Sequence, residues 1–338
     1  MKGNKEFLST GEVANLWTSY MNNSMGICMN QYALQVIEDS NIRDIYEFAL
    51  KLSQKNIKQL TRIFNRIHFP IPYAFTNKDI NLKAPRLFSD QFHLFYLHEL
   101  SVHGLSGYSL ALTTSVSPDV RQFNVDAMNS TSELYSKTLK LLQSKGLYDD
   151  FPKIPTPERP EIAEKQAYLA GWFGEHRPLN VIEITSIFSN LKKSIMAKAL
   201  AIGFSQTAQS KEIRAFMMRV VKLAEKHIEL FSSVLHDDFI NSAVYWDTHV
   251  TSSRVAPFSD KLMMVHGGFI ISAAMTYYGT GLATNMRRDL AVHYATSIAR
   301  DSKLSEDGMN IMIKNGWHEQ PPQAANREQL FRNIDGTQ

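Results

Sequence analysis

Phe88-Ser89-Asp90 and Phe258-Ser259-Asp260 are the same three residues, 170 positions apart. At that spacing Tyr108 matches Tyr278, Asp119 matches Asp289, Gly146 matches Gly316 and Pro152 matches Pro322. Nearer the N-terminus the offset is 171: Leu8 matches Leu179, Glu12 matches Glu183, and Lys51-Leu52 matches Lys222-Leu223. Solenoid repeats have periods of about 20–50 residues, so this period marks duplication of a whole domain. The first copy is expected over 1–150 and the second over 175–323. A linker at 151–174 separates them, and a tail at 324–338 follows. Pro152, Pro155, Pro157 and Pro160 make the linker stiff and extended. A short helical patch at 161–170 and a turn at Gly171-Trp172-Phe173-Gly174 are expected after it.

Each copy reads as four helices. In helix one, Val13, Leu16, Trp17, Tyr20, Ile27 and Leu34 fall on a 3–4 spacing, repeated by Ile184, Ile187, Phe188, Leu191, Ile195 and Ile202. Ser9 with Glu12, and Asn180 with Glu183, fit capping boxes, which makes these glutamates caps rather than metal ligands. Helix two is expected over 41–68, one tight turn after helix one. Phe69-Pro70-Ile71-Pro72 then stops it, since proline lacks an N–H and constrains its predecessor. About twenty residues pass before helix three, expected over 88–116. Ser117-Pro118-Asp119 supplies an N-cap, a proline at the first helical position and an acid in the first turn of helix four. Helix four ends at Gly146 and, in its copy, at Gly316, both followed by proline. A long strap between two tight hairpins makes helices two and three parallel. The expected fold class is therefore all-α, two tandem four-helix bundles of ferritin-like connectivity.

The chain has 338 residues, 44% of them hydrophobic, 20% charged, with a formal net charge of +3. Lysines and arginines are dispersed, so no nucleic-acid footprint is present. Cys28 is the one cysteine and cannot form an internal disulfide. The N-terminus shows no signal-peptide pattern, and a cytoplasmic location is the default expectation. Between Lys261 and Arg287 there is no Asp, Glu, Lys or Arg, a length that could span a bilayer. His266, three threonines and four glycines within it point instead to a central helix buried on all sides, with no membrane span.

Ferritin-like bundles often carry metals on Glu-x-x-His pairs; this chain has none. His227 and His293 fall on the seams of helices two and four in the second copy. With Glu225 or Glu229 they form the candidate metal set, for zinc or iron. The competing reading is a polar layer satisfied by Tyr, Ser and water, which fixes helix register. No cofactor is expected unless that metal set is real. His93, His98 and His103 are scattered over one helix and read as structural. Cys28 matches Ala199, a buried position, and reads as an inert thiol.

Asn15-Leu16-Trp17-Thr18-Ser19-Tyr20-Met21, Ala84-Pro85-Arg86-Leu87-Phe88-Ser89-Asp90 and Ile154-Pro155-Thr156-Pro157-Glu158 resemble a bacterial family of unknown function, domain family 3231. So do Pro257-Phe258-Ser259-Asp260-Lys261-Leu262-Met263-Met264 and Asn315-Gly316-Trp317. The resemblance implies a ferritin-like helical fold, often in two copies, and some relatives carry a spore-coat label. It implies no catalytic residues. Lys226-His227-Ile228-Glu229 looks like the family pattern, whereas the first copy has Lys55-Asn56-Ile57-Lys58.

Three functions follow as expectations. The leading one is a non-enzymatic structural or interaction protein, tied to sporulation or the spore coat, with a homo-oligomer or spore-coat proteins as partners. The second is a ferritin-like metal-binding or oxidase protein. The third is a binder of a small apolar ligand, with Gly267, Gly268, Gly279 and Gly281 leaving space between helices; the same glycines would also permit close helix approach.

Overall fold

The structure, a computed structural model, describes residues 8–171 and 176–334. The helices of the first half are α1 (Thr10–Val36), α2 (Ser40–Arg66), α3 (Asp90–Thr113) and α4 (Pro118–Ser144). Those of the second are α5 (Val181–Thr207), α6 (Lys211–Asp237), α7 (Asp260–Thr284) and α8 (Arg288–Lys314). A short α9 (Arg327–Ile334) lies in the expected tail, and the helical patch before α5 is a single 3-10 turn, Gln166–Leu169. Trp172, Phe173 and Gly174 of the expected turn lie outside the described residues.

Helix ends follow local chemistry. Ser9 and Asn180 form the two capping boxes with Glu12 and Glu183. Each glutamate does more than cap. Glu12 Oε1 also accepts the N–H groups of Val116 and Ser117 at the α3–α4 turn, at 3.0 and 2.6 Å. Glu183 Oε1 takes those of Met286 and Arg287 at the α7–α8 turn. Ser117 itself makes no side-chain cap bond to α4. Gly146 and Gly316 sit at φ +65° and +68°, the left-handed stop that glycine adopts freely.

The carboxylate of Asp90, at the start of α3, accepts the N–H groups of Glu38 and Asp39 in the α1–α2 turn. Asp260 does the same for Gln209 and Ser210. Helices α2 and α3 thus begin at the same end of the first half and are parallel, as are α6 and α7. The strap between them must run the length of the bundle.

Those straps join the halves. Ile80 bridges to Phe258 and Phe88 bridges to Val250, both antiparallel. Asn81 N–H donates to Pro257 O and Thr251 N–H to Leu87 O; Ser89 N–H donates to His249 O and Ser259 N–H to Asp79 O. At the 170-residue offset each contact maps onto its mate, so the halves meet like the subunits of a two-fold dimer. Tyr96 and His266 are equivalent residues, and their Oη and Nε2 stand 3.2 Å apart. A residue touches its own equivalent only beside the pseudo-two-fold axis. Trp246, on the second strap, stacks on Phe95 of α3 at 4.3 Å. One apolar core consequently runs through both halves.

The first half has an additional, separate core at its far end, made of Leu16, Leu60, Ile63, Phe64, Val120, Phe123 and Ala127. In α7 the expectation of burial on all sides needs correction: Ser272, Thr276 and Thr280 face solvent. Thr276 and Thr280 return their hydroxyls to carbonyls four residues back, which gives that side a polar face without charge. No helix among the described residues is long and apolar enough to cross a membrane.

Gly203 on α5 lies against Phe88 of the opposite strap. A Cβ built there would stand 2.5 Å from Phe88 Cζ. Phe88 is buried and stacked on Phe92, so its ring has little room to retreat. Alanine gains about 1 kcal/mol of helix propensity over glycine, while overpacking costs about 1–3 kcal/mol. Gly203→Ala should therefore destabilise the protein in urea unfolding, and Phe88→Leu should relieve the loss. A stabilised Gly203→Ala protein would contradict the tight strap contact.

Candidate functional site

At the level of α2 and α6, the seam of each bundle turns polar. In the second half His227, Tyr278 and Asp301 meet there. Tyr278 Oη is 2.8 Å from His227 Nδ1, and His227 Nε2 is 3.6 Å from Asp301 Oδ1. All three are buried, and neither His227 Nε2 nor Asp301 Oδ1 has a hydrogen-bond partner. Burial, with repulsion from Arg300 adding, pushes the His227 imidazole down to about 4. Burial pushes the Asp301 carboxyl up to about 7. A cavity of about 40 Å³ adjoins them, large enough for a bridging water.

Of the expected metal set, His227 is the one buried member. Glu225 and Glu229 face solvent, and Glu225 pairs with Lys198 at 3.3 Å. His293 is half-buried, because its neighbour Tyr294 takes the buried seam position. The four are not brought together: no group of three or more His, Cys, Asp or Glu side chains able to hold a metal occurs among the described residues. Asp301 was missed. Its signal was an acid on the seam Leu290, Tyr294, Ser297, Asp301, Leu304. Four further histidines have polar neighbours: His93 lies against Tyr46, His98 against Thr138, His103 against Tyr277 and His266 against Tyr96. Cys28 is buried, and burial, helped by the nearby Asp79, pushes its thiol up to about 12.

In the first half the equivalents of His227, Ser194, Tyr278 and Asp301 are Asn56, Asn23, Tyr108 and Thr131. Asn56 Nδ2 donates to Asn23 Oδ1 at 3.0 Å and to Tyr108 Oη at 3.3 Å; Asn23 Nδ2 donates to Tyr108 Oη at 3.0 Å. These residues line a cavity of about 400 Å³, ten times the volume of its counterpart. The two cavities are one site, duplicated: the second-half residues lining the smaller one all have counterparts lining the larger.

Side-chain truncation accounts for the difference. Where the second half has Ala197, Val220, Ile271, Ala274 and Tyr277, the first has Gly26, Ala49, Ser101, Gly104 and Gly107. A Cβ at Gly107 would meet nothing within 4 Å. In the second half, by contrast, Gly281 lets α7 close on α5, since a Cβ there would stand 2.8 Å from Ser186 Oγ. The four second-half glycines singled out thus divide between close approach, at Gly281 and, against Met217 Cε at 3.3 Å, at Gly267, and open surroundings, at Gly268 and Gly279. The large cavity lies in the other copy, where it separates the far-end core from the main one. Its wall contains no Asp, Glu, Lys or Arg. His103, its one histidine, is pushed down to about 4 by burial and by Lys193, and is neutral at pH 7. Phe269 of α7 and His103 of α3 reach across the halves, each lining the other half's cavity.

The family described as "Protein of unknown function (DUF3231)" matches residues 1–159 and again 168–330. The chain belongs to the DUF3231 family. The family model thus matches two repeats over the chain. A crystal structure at 1.54 Å from Bacillus halodurans C-125, provisionally labelled a spore coat protein, is similar over 46% of this chain and 98% of its own. Its identity to this chain is 22% and the TM-score is 0.38. No curated protein matches.

The His227–Asp301 pair gives this DUF3231 protein an acid-range signature. His227 has a folded value below its ordinary 6.5, so the unfolded chain takes its proton first and stability falls as pH drops from 6.5 toward 4. Asp301 has a folded value above its ordinary 3.8, so the folded chain takes its proton first and stability rises as pH drops from 7 toward 3.8. The two effects oppose each other. Asp301→Asn should therefore lose more melting temperature between pH 7 and pH 5 than the parent. His227→Gln should lose less. Parallel melting curves across the three proteins would show that the pair is not buried as described.

Proposed function

We propose that the protein binds a small neutral molecule in the first-half cavity and is not an enzyme. The observation that carries this reading is the contrast between equivalent sites. The second copy is filled to about 40 Å³, and the first is open to about 400 Å³ behind an uncharged wall. A volume of that size falls within the range of small-ligand pockets. An exposed Leu110 and the open space at Gly107 mark its mouth, beside Asn15 and Asn22 of α1. The wall mixes amide and hydroxyl groups with Met, Leu and Phe, so the ligand is amphipathic rather than purely apolar. The second half acts as scaffold, supplying Phe269 to the wall.

A metal-binding role rests on His227 alone among the four residues first considered, with Asp301 as its neighbour. Metal content of the purified protein, compared with that of His227→Ala, tests it; a metal-free parent removes it. The spore-coat association implied by the family resemblance concerns location. Immunogold labelling of sporulating cells would read it directly, and absence from spores would remove it.

The binding reading is tested by giving the first half the side chains of the second. Ala49→Val, Ser101→Ile and Gly107→Tyr together should fill the cavity with no loss of melting temperature. In saturation-transfer NMR, neutral fragments should bind the parent and fail to bind the filled variant. Fragments that bind neither protein, or both equally, would reject the cavity as the binding site.

A further inference from the structure

We infer that the cavity recognises a carboxamide group, read by Asn56 and Tyr108. The inference rests on the binding role proposed for this cavity and follows from hydrogen-bond accounting. Asn56 is 2% exposed, and its Nδ2 is fully used, donating to Asn23 and to Tyr108. No described donor reaches its Oδ1, which is left as an acceptor in the cavity wall. Tyr108 Oη accepts from both Asn23 and Asn56, so its own proton remains to be donated. A free acceptor and a free donor thus sit on two side chains already 3.3 Å apart. A carboxamide offers the complement in one planar group: its N–H donates to Asn56 Oδ1 and its C=O accepts from Tyr108 Oη.

The same accounting rejects other head groups. A carboxylate has no proton for Asn56 Oδ1, and an ammonium has no acceptor for Tyr108. Each would also bring a charge into a wall that has none to pair with it. A hydroxyl satisfies both partners only by bending one small group between them.

Asn30 adds a second, independent observation. It is 5% exposed, lines the same cavity, and no described partner bonds its amide. It lies seven residues beyond Asn23 on α1, about 10 Å along the helix. In the second half its place is taken by Ala201, and Asn56 is replaced by His227. The free Oδ1 of Asn56 and the unbonded amide of Asn30 thus both line the large cavity.

The probe is hexanamide, titrated into the full chain by saturation-transfer NMR against hexanoate, hexylammonium and hexan-1-ol. Hexanamide should bind at least about tenfold more tightly than each of the others, the worth of one to two hydrogen bonds. Asn56→Leu should abolish the preference over hexan-1-ol. Tyr108→Phe, which removes one hydroxyl and keeps the ring, should reduce the preference even if Asn56→Leu fails to fold. Hexanamide and hexan-1-ol binding equally would overturn the carboxamide assignment and leave the cavity as a binding site. No probe binding at all would overturn both.

Discussion

The rest of this structure depends on the pairing of the two straps across the pseudo-two-fold axis. A four-helix unit with one long crossover has to lay that crossover on its surface, where Phe88 or Phe258 would meet water. Duplication within one chain resolves this. Each strap finds the other, the backbone groups around Asn81 and Thr251 satisfy one another, and both phenylalanines are buried. Burying one phenylalanine contributes about 1.5–3 kcal/mol. The paired backbone donors and acceptors add less in net terms, but leaving them unpaired at a buried seam would cost about 1–3 kcal/mol each. The interface is therefore part of the core.

That arrangement leaves the two bundles unequally constrained. Both give the axis-proximal parts of their helices to the shared core. The second half stays packed beyond it, with Gly281 allowing α5 and α7 to touch and Phe231 and Tyr294 filling the seam. In the first half Leu60 and Asn124 stand in the places of Phe231 and Tyr294. There α1 and α3 enclose the large cavity, and the apolar far end is held as a separate cluster. An opened core lowers stability. A partner bundle docked through a buried interface offsets that loss, which is how a duplicated fold can keep one copy closely packed and the other open.

Much of the frame was legible in the sequence. Phe88-Ser89-Asp90 and its echo gave the duplication; capping boxes, prolines and the two C-terminal glycines gave the helix ends within a few residues. Fine placement on α8 was misread by one position, because His293 and Tyr294 are adjacent and both suit a half-apolar seam. The second role of Glu12 and Glu183 was hidden, since their partners lie more than a hundred residues away. Pairing of the straps was hidden for the same reason. Hardest to see was the cavity. It is made by what is missing, Gly26 for Ala197 and Gly107 for Tyr277, and its polar groups, Asn23, Asn56 and Tyr108, look in sequence like any register-fixing layer. Comparing the two copies position by position is the signal that finds it.

The central claim is that two copies of one domain share one core. Differential scanning calorimetry of the full chain tests it most directly. A shared core predicts one endotherm whose calorimetric and van't Hoff enthalpies agree, because neither half can unfold without exposing the strap interface of the other. Two resolved endotherms, each carrying about half of the total enthalpy, would mean that the halves are independent bundles, and would contradict the account.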